Sequence, residues 1–166
     1  LGGGIYSGGS LTVTNSYIGD SYARLRGGGV SVASSGATVI NSTIANNRAL
    51  LGGSFHGLYA TIAVTNSTLA NSVSNPGGIV LLSEGGSVSL ANSALGQSGA
   101  GASCAISASG TIFDGGGNIA DDNSCGFTAA TSRNNTDPLL SPPGDYGGDT
   151  QTMALLPGSP AIDSAL

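Results

Sequence analysis

Short apolar segments alternate with polar corners along most of the chain, and the pattern returns at nearly constant intervals. Its most regular mark is an asparagine: Asn15, Asn41, Asn66 and Asn92 are 26, 25 and 26 residues apart, and a further step of 26 reaches Asn118. Intervals of roughly 20 to 50 residues are typical of stacked repeats, in which neighbouring units bury the apolar face that one unit leaves exposed. The sequence therefore predicts five turns of one repeating unit.

Each repeat is predicted to contain three short β-strands. Apolar residues recur at every second position, which places them on one side of an extended chain, and no segment has the roughly 3.6-residue period of a helix. Three strands in about 25 residues predict an all-β fold, a parallel β-helix (β-solenoid) of about five coils. The inward columns are predicted at Ile5, Val30, Phe55 and Val80; at Leu11, Ala37, Ile62 and Val88; at Val13, Val39, Val64 and Leu90; and at Ile18, Ile44, Leu69 and Leu95.

Glycines are predicted at corners of the coil. Gly2, Gly27, Gly52 and Gly77 recur at steps of 25 residues. Glycine at a fixed phase indicates a backbone with positive φ or a corner without room for a Cβ atom.

The five asparagines are predicted to form a structural ladder inside the stack. The repeated asparagine lies two residues beyond an inward apolar residue, as Asn15 follows Val13, so it would face inward, and the amides of successive coils would hydrogen bond to one another. Asn41-Ser42-Thr43 and Asn66-Ser67-Thr68, like the segment at Asn134, also match the N-glycosylation pattern. We interpret the first two matches as by-products of the repeat.

The C-terminal part of the chain departs from the repeat. Five of the six prolines lie after Asp121, and proline removes the N–H donors that strand ladders need. We expect the coils to occupy residues 1–127 and an irregular cap, in the same domain, to occupy residues 128–166. Cys104 and Cys125 are 21 residues apart, somewhat less than one repeat, which favours a disulfide between adjacent turns over two free thiols.

Charge and composition narrow the classes of partner. The chain has nine acidic residues, four arginines and a net charge of −5, which excludes the clustered basic residues of a nucleic-acid-binding protein. No apolar run reaches the roughly 18 to 20 residues of a membrane span, so we expect a protein that is not transmembrane. The cysteines favour secretion to the extracellular space or cell surface. Since the chain begins inside the repeat without a methionine, we expect a processed or excised segment.

The acidic and basic residues offer weak candidate sites. Asp114, Asp121 and Asp122 could hold calcium, although adjacent acids in a loop are more often simply solvated, so no metal site or cofactor is predicted. Arg24 and Arg26, with Arg48 one coil later, form a basic spot that would bind a carboxylate or pair with Asp20, and we favour pairing.

Catalytic and sugar-binding groups are less evident. His56 has no acid or serine partner at its phase in the repeat, so no catalytic constellation is visible and no enzyme is predicted. The tyrosines Tyr6, Tyr17, Tyr22 and Tyr59 do not share one register, which favours scattered surface positions over a sugar-stacking surface.

Two sets of motifs resemble known β-helix proteins. Gly2-Gly3-Gly4-Ile5-Tyr6, followed by Leu11-Thr12-Val13-Thr14-Asn15-Ser16, resembles the right-handed parallel β-helix (pectin-lyase-like) repeats of secreted bacterial surface proteins. The ordered motifs of the tail resemble the closing segment of the bacterial choice-of-anchor Q proteins. These motifs lie at residues 117–119, 125–127, 135–140, 146–152 and 155–163. The resemblance implies a secreted β-helix whose last segment often precedes a surface-attachment signal, in a family with no single established activity.

These observations predict a structural function. A first coil with an open edge is a template for pairing, and a surface with few charges offers little repulsion against association. We expect a secreted structural solenoid, a homo-oligomer that self-assembles by coil-edge stacking into an extracellular filament or surface layer. The alternatives are the C-terminal part of a larger β-helix adhesin, and a β-helix that binds or cleaves a surface polysaccharide.

Overall fold

The computed structural model describes residues 2–74, 78–96 and 101–164, and within these ranges it contains strands and no helix. The strands fall into five stacked layers. The first layer holds β1 (Ile5–Ser7), β2 (Leu11–Thr14) and β3 (Tyr17–Gly19), and the second holds β4 (Val30–Ala33), β5 (Gly36–Ile40) and β6 (Thr43–Ala45). The third holds β7 (Phe55–Thr65) and β8 (Thr68–Ala70), the fourth β9 (Gly78–Ala91) and β10 (Ala94–Gly96), and the fifth β11 (Ala102–Ile106), β12 (Gly110–Asp114) and β13 (Ile119–Ala120).

All pairings between these strands are parallel and join successive layers. The strands β3, β6, β8, β10 and β13 form a five-stranded sheet, and the other eight form a second sheet, in which the long strands β7 and β9 pair with two shorter strands each. The predicted parallel β-solenoid is therefore confirmed, with about four turns rather than five. The difference arises because five layers are separated by only four turns.

The core runs along the axis of the stack. Phe55, Ile44, Leu69 and Leu95 are completely buried, and the predicted inward columns of layers two to four contain no residue more than 3% exposed. Burial of one such aliphatic or aromatic side chain stabilises a fold by about 1.5 to 3 kcal/mol. The alternation of inward and outward residues that the sequence predicts is what builds this core.

The glycine corners have the geometry that the repeat predicts. Gly27 and Gly52 have φ of 58° and 67°. A Cβ atom at Gly2, Gly27 or Gly52 would overlap the carbonyl oxygen three residues further on, so no side chain fits there. Gly77 lies outside the described residues.

The prediction of an inward asparagine ladder is wrong for four of its five members. Asn15, Asn41, Asn66 and Asn92 have φ between 47° and 50°, and the first three are exposed. Asparagine adopts this left-handed conformation more readily than most residues, and the turn it makes ends the strand's alternation. Asn118 does face inward, because it stands one position later in the repeat.

The inward ladder consists of the serines that follow these asparagines. The backbone N–H of Ser16 donates to the hydroxyl of Ser42 at 3.2 Å, that of Ser42 to Ser67 at 3.2 Å, and that of Ser67 to Ser93 at 3.3 Å. The N–H of Ser93 then donates to Oδ1 of Asn118 at 3.0 Å. Each serine hydroxyl also donates to the carbonyl oxygen two residues earlier, at 2.6 to 2.8 Å, so the corner backbone is satisfied inside the stack.

A ladder of side-chain amides does occur, at the next corner and on the outside. Asp20, Asn46 and Asn71 have positive φ, and Nδ2 of Asn46 donates to Asp20 at 3.2 Å while Nδ2 of Asn71 donates to Asn46 at 2.5 Å. The five-stranded sheet thus lies between two corners of the same design.

The segment after β13 has two parts. Residues 121–137 close the end of the stack: Cys125 and Phe127 complete the core, and Arg133 exchanges backbone hydrogen bonds with Asn118 and Ala120 at 2.7 and 2.9 Å. The disulfide between Cys104 and Cys125 is confirmed, with Cα atoms 4.9 Å apart.

The second part, residues 138–164, does not cap the end but runs back along the outer face of the five-stranded sheet. Leu140 and Met153 pack there against Ala45 and Ala70, with Tyr17 beside them. The predicted cap of residues 128–166 therefore covers an end and a flank.

Candidate functional site

Asp114, one of the three acids considered for calcium, is a structural hub. Its Oδ1 accepts hydrogen bonds from Gly116 N–H, Asn118 Nδ2 and Ser132 Oγ at 2.7 to 3.0 Å, and its Oδ2 accepts from Thr128 and Ala129 N–H at 2.8 and 2.7 Å. Burial by itself raises the pKa of this carboxyl, but the hydrogen bonds outweigh burial and lower the pKa to about 2. The charged carboxylate therefore ties the end segment to the last coil.

Asp121 and Asp122 brace the disulfide instead of facing Asp114. Oδ1 of Asp121 accepts from Ser103 Oγ at 2.5 Å, and Oδ2 of Asp122 accepts from Ser103 N–H at 2.8 Å. The other oxygen of Asp122 accepts from Ser124, whose hydroxyl also accepts from Cys104 N–H. Within the described ranges no group of three or more His, Cys, Asp or Glu residues is placed to hold a metal ion.

His56 lies in the third layer and is almost completely buried. Its exposed fraction is 1%, and its Nδ1 lies 3.5 Å from Oγ of Ser31, which is also buried. Burial, followed by the positive charge of Arg26, lowers the pKa of His56 to about 4. A neutral, enclosed imidazole of this kind can support packing but does not reach a substrate.

The edge of the first layer is the first candidate interaction surface. Ile5, Leu11 and Ile18 are only partly buried, whereas the residues above them in the second to fourth layers are at most 3% exposed. The N–H of Asn15 donates upward to the second layer, and successive residues of a strand direct their backbone groups to opposite sides. The backbone groups of Thr12 and Thr14 therefore point away from the stack.

The arginine groove is the second candidate surface. We use this name for the groove lined by Tyr22, Arg24, Arg48, Leu50 and Val73, which has a volume of about 210 Å³. Tyr22, Arg48 and Val73 are stacked by parallel bridges between layers one, two and three, just after the outer amide ladder.

The predicted pairing of these arginines with Asp20 is wrong. Asp20 accepts hydrogen bonds from Asn46 and from the hydroxyl of Tyr17, at 3.2 Å each. In the described part of the chain no side chain forms an ion pair or hydrogen bond with the guanidinium of Arg24 or Arg48. Arg26 lies apart from the groove, toward His56, with its buried Nε unpartnered among the described residues.

The hairpin tip, residues 145–149, is a third surface and was not identified from the sequence. The bridges Leu140 to Leu155 and Gly144 to Thr152 are antiparallel and make a hairpin, and every residue from Asp145 to Asp149 is exposed. The tip carries two carboxylates around Tyr146, which is 51% exposed.

The flank under this hairpin has a sequence signal that marks it. Gly19, Ala45, Ala70 and Gly96 occupy one register column on the outer face of the five-stranded sheet. Small residues leave room for another segment, and a Cβ atom at Gly96 would lie 2.7 Å from Pro138. A column of small residues on a polar repeat could have located the docking segment.

The tyrosines do not form one surface. Tyr22 lines the arginine groove, Tyr17 lies beside the C-terminal segment, and Tyr59 donates a hydrogen bond to Glu84 at 2.8 Å. Their separation agrees with the interpretation of scattered positions rather than a sugar-stacking platform.

Comparison with known proteins adds no family to this description. No family model, curated protein or solved structure matches the chain. In the described ranges there is also no helix long and apolar enough to cross a membrane.

Proposed function

We propose that this protein is a secreted structural solenoid that associates with copies of itself through the edge of its first coil, within an extracellular filament or surface layer. The observation that carries the proposal is the contrast within single columns of the core. Leu11 is half-buried, while Ile62 and Val88 above it are 1% and 0% exposed. A further coil on the first layer would bury Ile5, Leu11 and Ile18 and pair the strand edge.

The closed end of the stack limits how such an assembly grows. Residues 121–137 cover the last layer, so an end-to-end contact joins the first coils of two copies, and growth beyond that pair needs contacts between flanks. The disulfide supports an oxidising compartment, as expected for a secreted protein. The right-handed pectin-lyase-like and choice-of-anchor Q affinities suggested by the motifs belong to this proposal.

The C-terminal part of a larger β-helix adhesin is the second candidate. The observation that favours it is the same asymmetry, since a solenoid with one closed and one open end has the form of a terminal segment. In that protein, preceding coils of the same chain would cover the first layer.

A matched pair of charge substitutions tests the first proposal. Leu11→Lys adds a charge at the end of the stack, and Thr12→Lys adds the same charge on the adjacent exposed flank. We expect the wild-type chain and Thr12→Lys to form dimers or larger species in sedimentation velocity, and Leu11→Lys to lose the end contact.

A wild-type chain that stays monomeric at high concentration would reject self-association through the edge. Intact mass of the native material separates the two candidates. A subunit near 15.9 kDa supports assembly of the short chain, and a much larger mass supports the adhesin.

A further inference from the structure

The exposed apolar side chains are concentrated in two patches of opposite charge. Eleven large apolar residues are exposed in the described part of the chain. Four of them accompany Arg24 and Arg48, and four accompany the acids of the C-terminal segment. The first four are Tyr22, Leu25, Leu50 and Val73, and the second four are Tyr146, Leu155, Leu156 and Ile162. Exposed apolar patches rimmed by charge are typical of protein interaction sites.

The charges of the two patches are complementary. The chain has four cationic side chains in total, and the arginine groove holds two of them without a partner among the described residues. The hairpin tip holds Asp145 and Asp149, both exposed, and no cation. Such an arrangement favours contact between a groove and a tip and opposes contact between two grooves or two tips.

The shapes of the two patches also match. The arginine groove is a concave surface of about 210 Å³ that spans three layers of the stack. The tip is a turn whose five residues are all exposed, with φ of 91° at Gly147 and a hydrogen bond of 2.9 Å from Gly147 N–H to Asp145. A tyrosine between two carboxylates can place its ring on the apolar wall and its neighbours near the guanidinium groups.

We infer that the hairpin tip of one copy docks into the arginine groove of a second copy. The contact is heterologous, because it joins two different surfaces, so it propagates from copy to copy into a ring or an open fibre. The inference rests on the proposed structural function and supplies the flank contact that the closed end of the stack requires. A contact of this small size is weak by itself and gains strength from repetition along an assembly.

Two double variants test the inference, both made in the Leu11→Lys background so that stacking of first coils is absent. The groove variant carries Arg24→Ala and Arg48→Ala, and the tip variant carries Asp145→Asn and Asp149→Asn. The arginines are exposed, and asparagine keeps an acceptor for the N–H of Gly147, so both variants should fold as the parent does. Matching thermal unfolding curves check this.

Sedimentation velocity gives the readout. We expect the parent to form a concentration-dependent series of oligomers at about 50 mM salt and to lose at least tenfold in affinity at about 500 mM. Each double variant alone should be monomeric. An equimolar mixture should form a 1:1 heterodimer and nothing larger, because only one intact groove and one intact tip remain in it.

Three outcomes would overturn the inference: a monomeric parent at low salt, a double variant that assembles as the parent does, or a mixture that stays monomeric. If the protein with Leu11 intact associates while the Leu11→Lys parent does not, the edge contact stands and the groove contact is rejected. The groove would then be left for a different anion.

Discussion

The two ends of the stack contain the same strand pattern but are finished in different ways. In the first layer Leu11 and Ile18 remain half-buried, with one neighbouring coil each. In the fifth layer the repeat weakens, and Asp114, a disulfide and Phe127 close the core. The difference teaches that stacked apolar columns satisfy only the interior of a solenoid, whereas an end requires contacts that do not repeat.

The sharpest way to test this comparison is to delete the same side chain at two heights of one column. Ile62→Ala in the third layer should lower the free energy of unfolding by about 3 to 4 kcal/mol, because it leaves a cavity in a closed core. Leu11→Ala should lower it by only about 1 kcal/mol, because Leu11 is half-buried. Urea unfolding of both variants measures the difference, and equal losses would contradict the contrast between the ends and the interior.

Removal of the disulfide tests the closed end. Cys104→Ser with Cys125→Ser should lower the free energy of unfolding by about 3 kcal/mol, because the bond restricts the unfolded chain and joins the fifth layer to the end segment. Hydrogen exchange should quicken in residues 102–133 before it does so in the second and third layers. The wild-type protein with a reducing agent should behave in the same way, and uniform exchange along the stack would contradict a local closure.

The columns of the core could be predicted from the sequence because they depend on a local rule. Residues two apart on a strand face the same side, and Val13, Val39 and Val64 show this rule without interference from the rest of the fold. The same rule failed at Asn15, since a left-handed residue reverses the alternation and spacing does not reveal φ. The asparagine spacing of 26 to Asn118 also combined two different positions of the repeat.

The functional surfaces were harder to predict because they depend on contacts between distant segments. Arg24 and Arg48 were identified as a basic spot, but their pairing with Asp20 was wrong, because the outer ladder takes up that carboxylate. The docking of Met153 on Ala70 joins residues 83 positions apart and has no periodic signal in the tail. Asp114 was found as an acid, while its five donors come from a segment that has no repeat.

The interior layers should report the pH dependence of the whole stack through His56. Its pKa is about 4 in the folded protein and about 6.5 when unfolded, so the unfolded chain binds the proton more tightly. Stability should therefore be complete above pH 6.5 and fall by up to about 3 kcal/mol as the pH approaches 4.

The matched variant for this titration is His56→Leu, which copies the residue at the same position of the next coil. Urea unfolding between pH 7 and pH 4 should show a much smaller loss of stability in this variant than in the wild-type protein. An unchanged slope would show that another group carries the pH dependence.

The smallest expected effect belongs to the closed end, where Asp114 acts over a lower range of pH. Because its pKa is lowered to about 2 in the folded protein, its contribution is complete above the unfolded value near pH 4 and is lost as the pH falls toward 2. With allowance for screening by solvent, that contribution is about 1 to 2 kcal/mol. Asp114→Ala should remove it at neutral pH and speed the exchange of the N–H groups of Gly116, Thr128 and Ala129. Asp149→Ala, at an exposed acid of the hairpin tip, is the control, and it should leave those three amides unchanged. If both variants open the end segment equally, the end is closed by its apolar contacts and the carboxylate is incidental. If only Asp114→Ala opens it, the end of this solenoid depends on one charged hub, as the open end depends on a further coil.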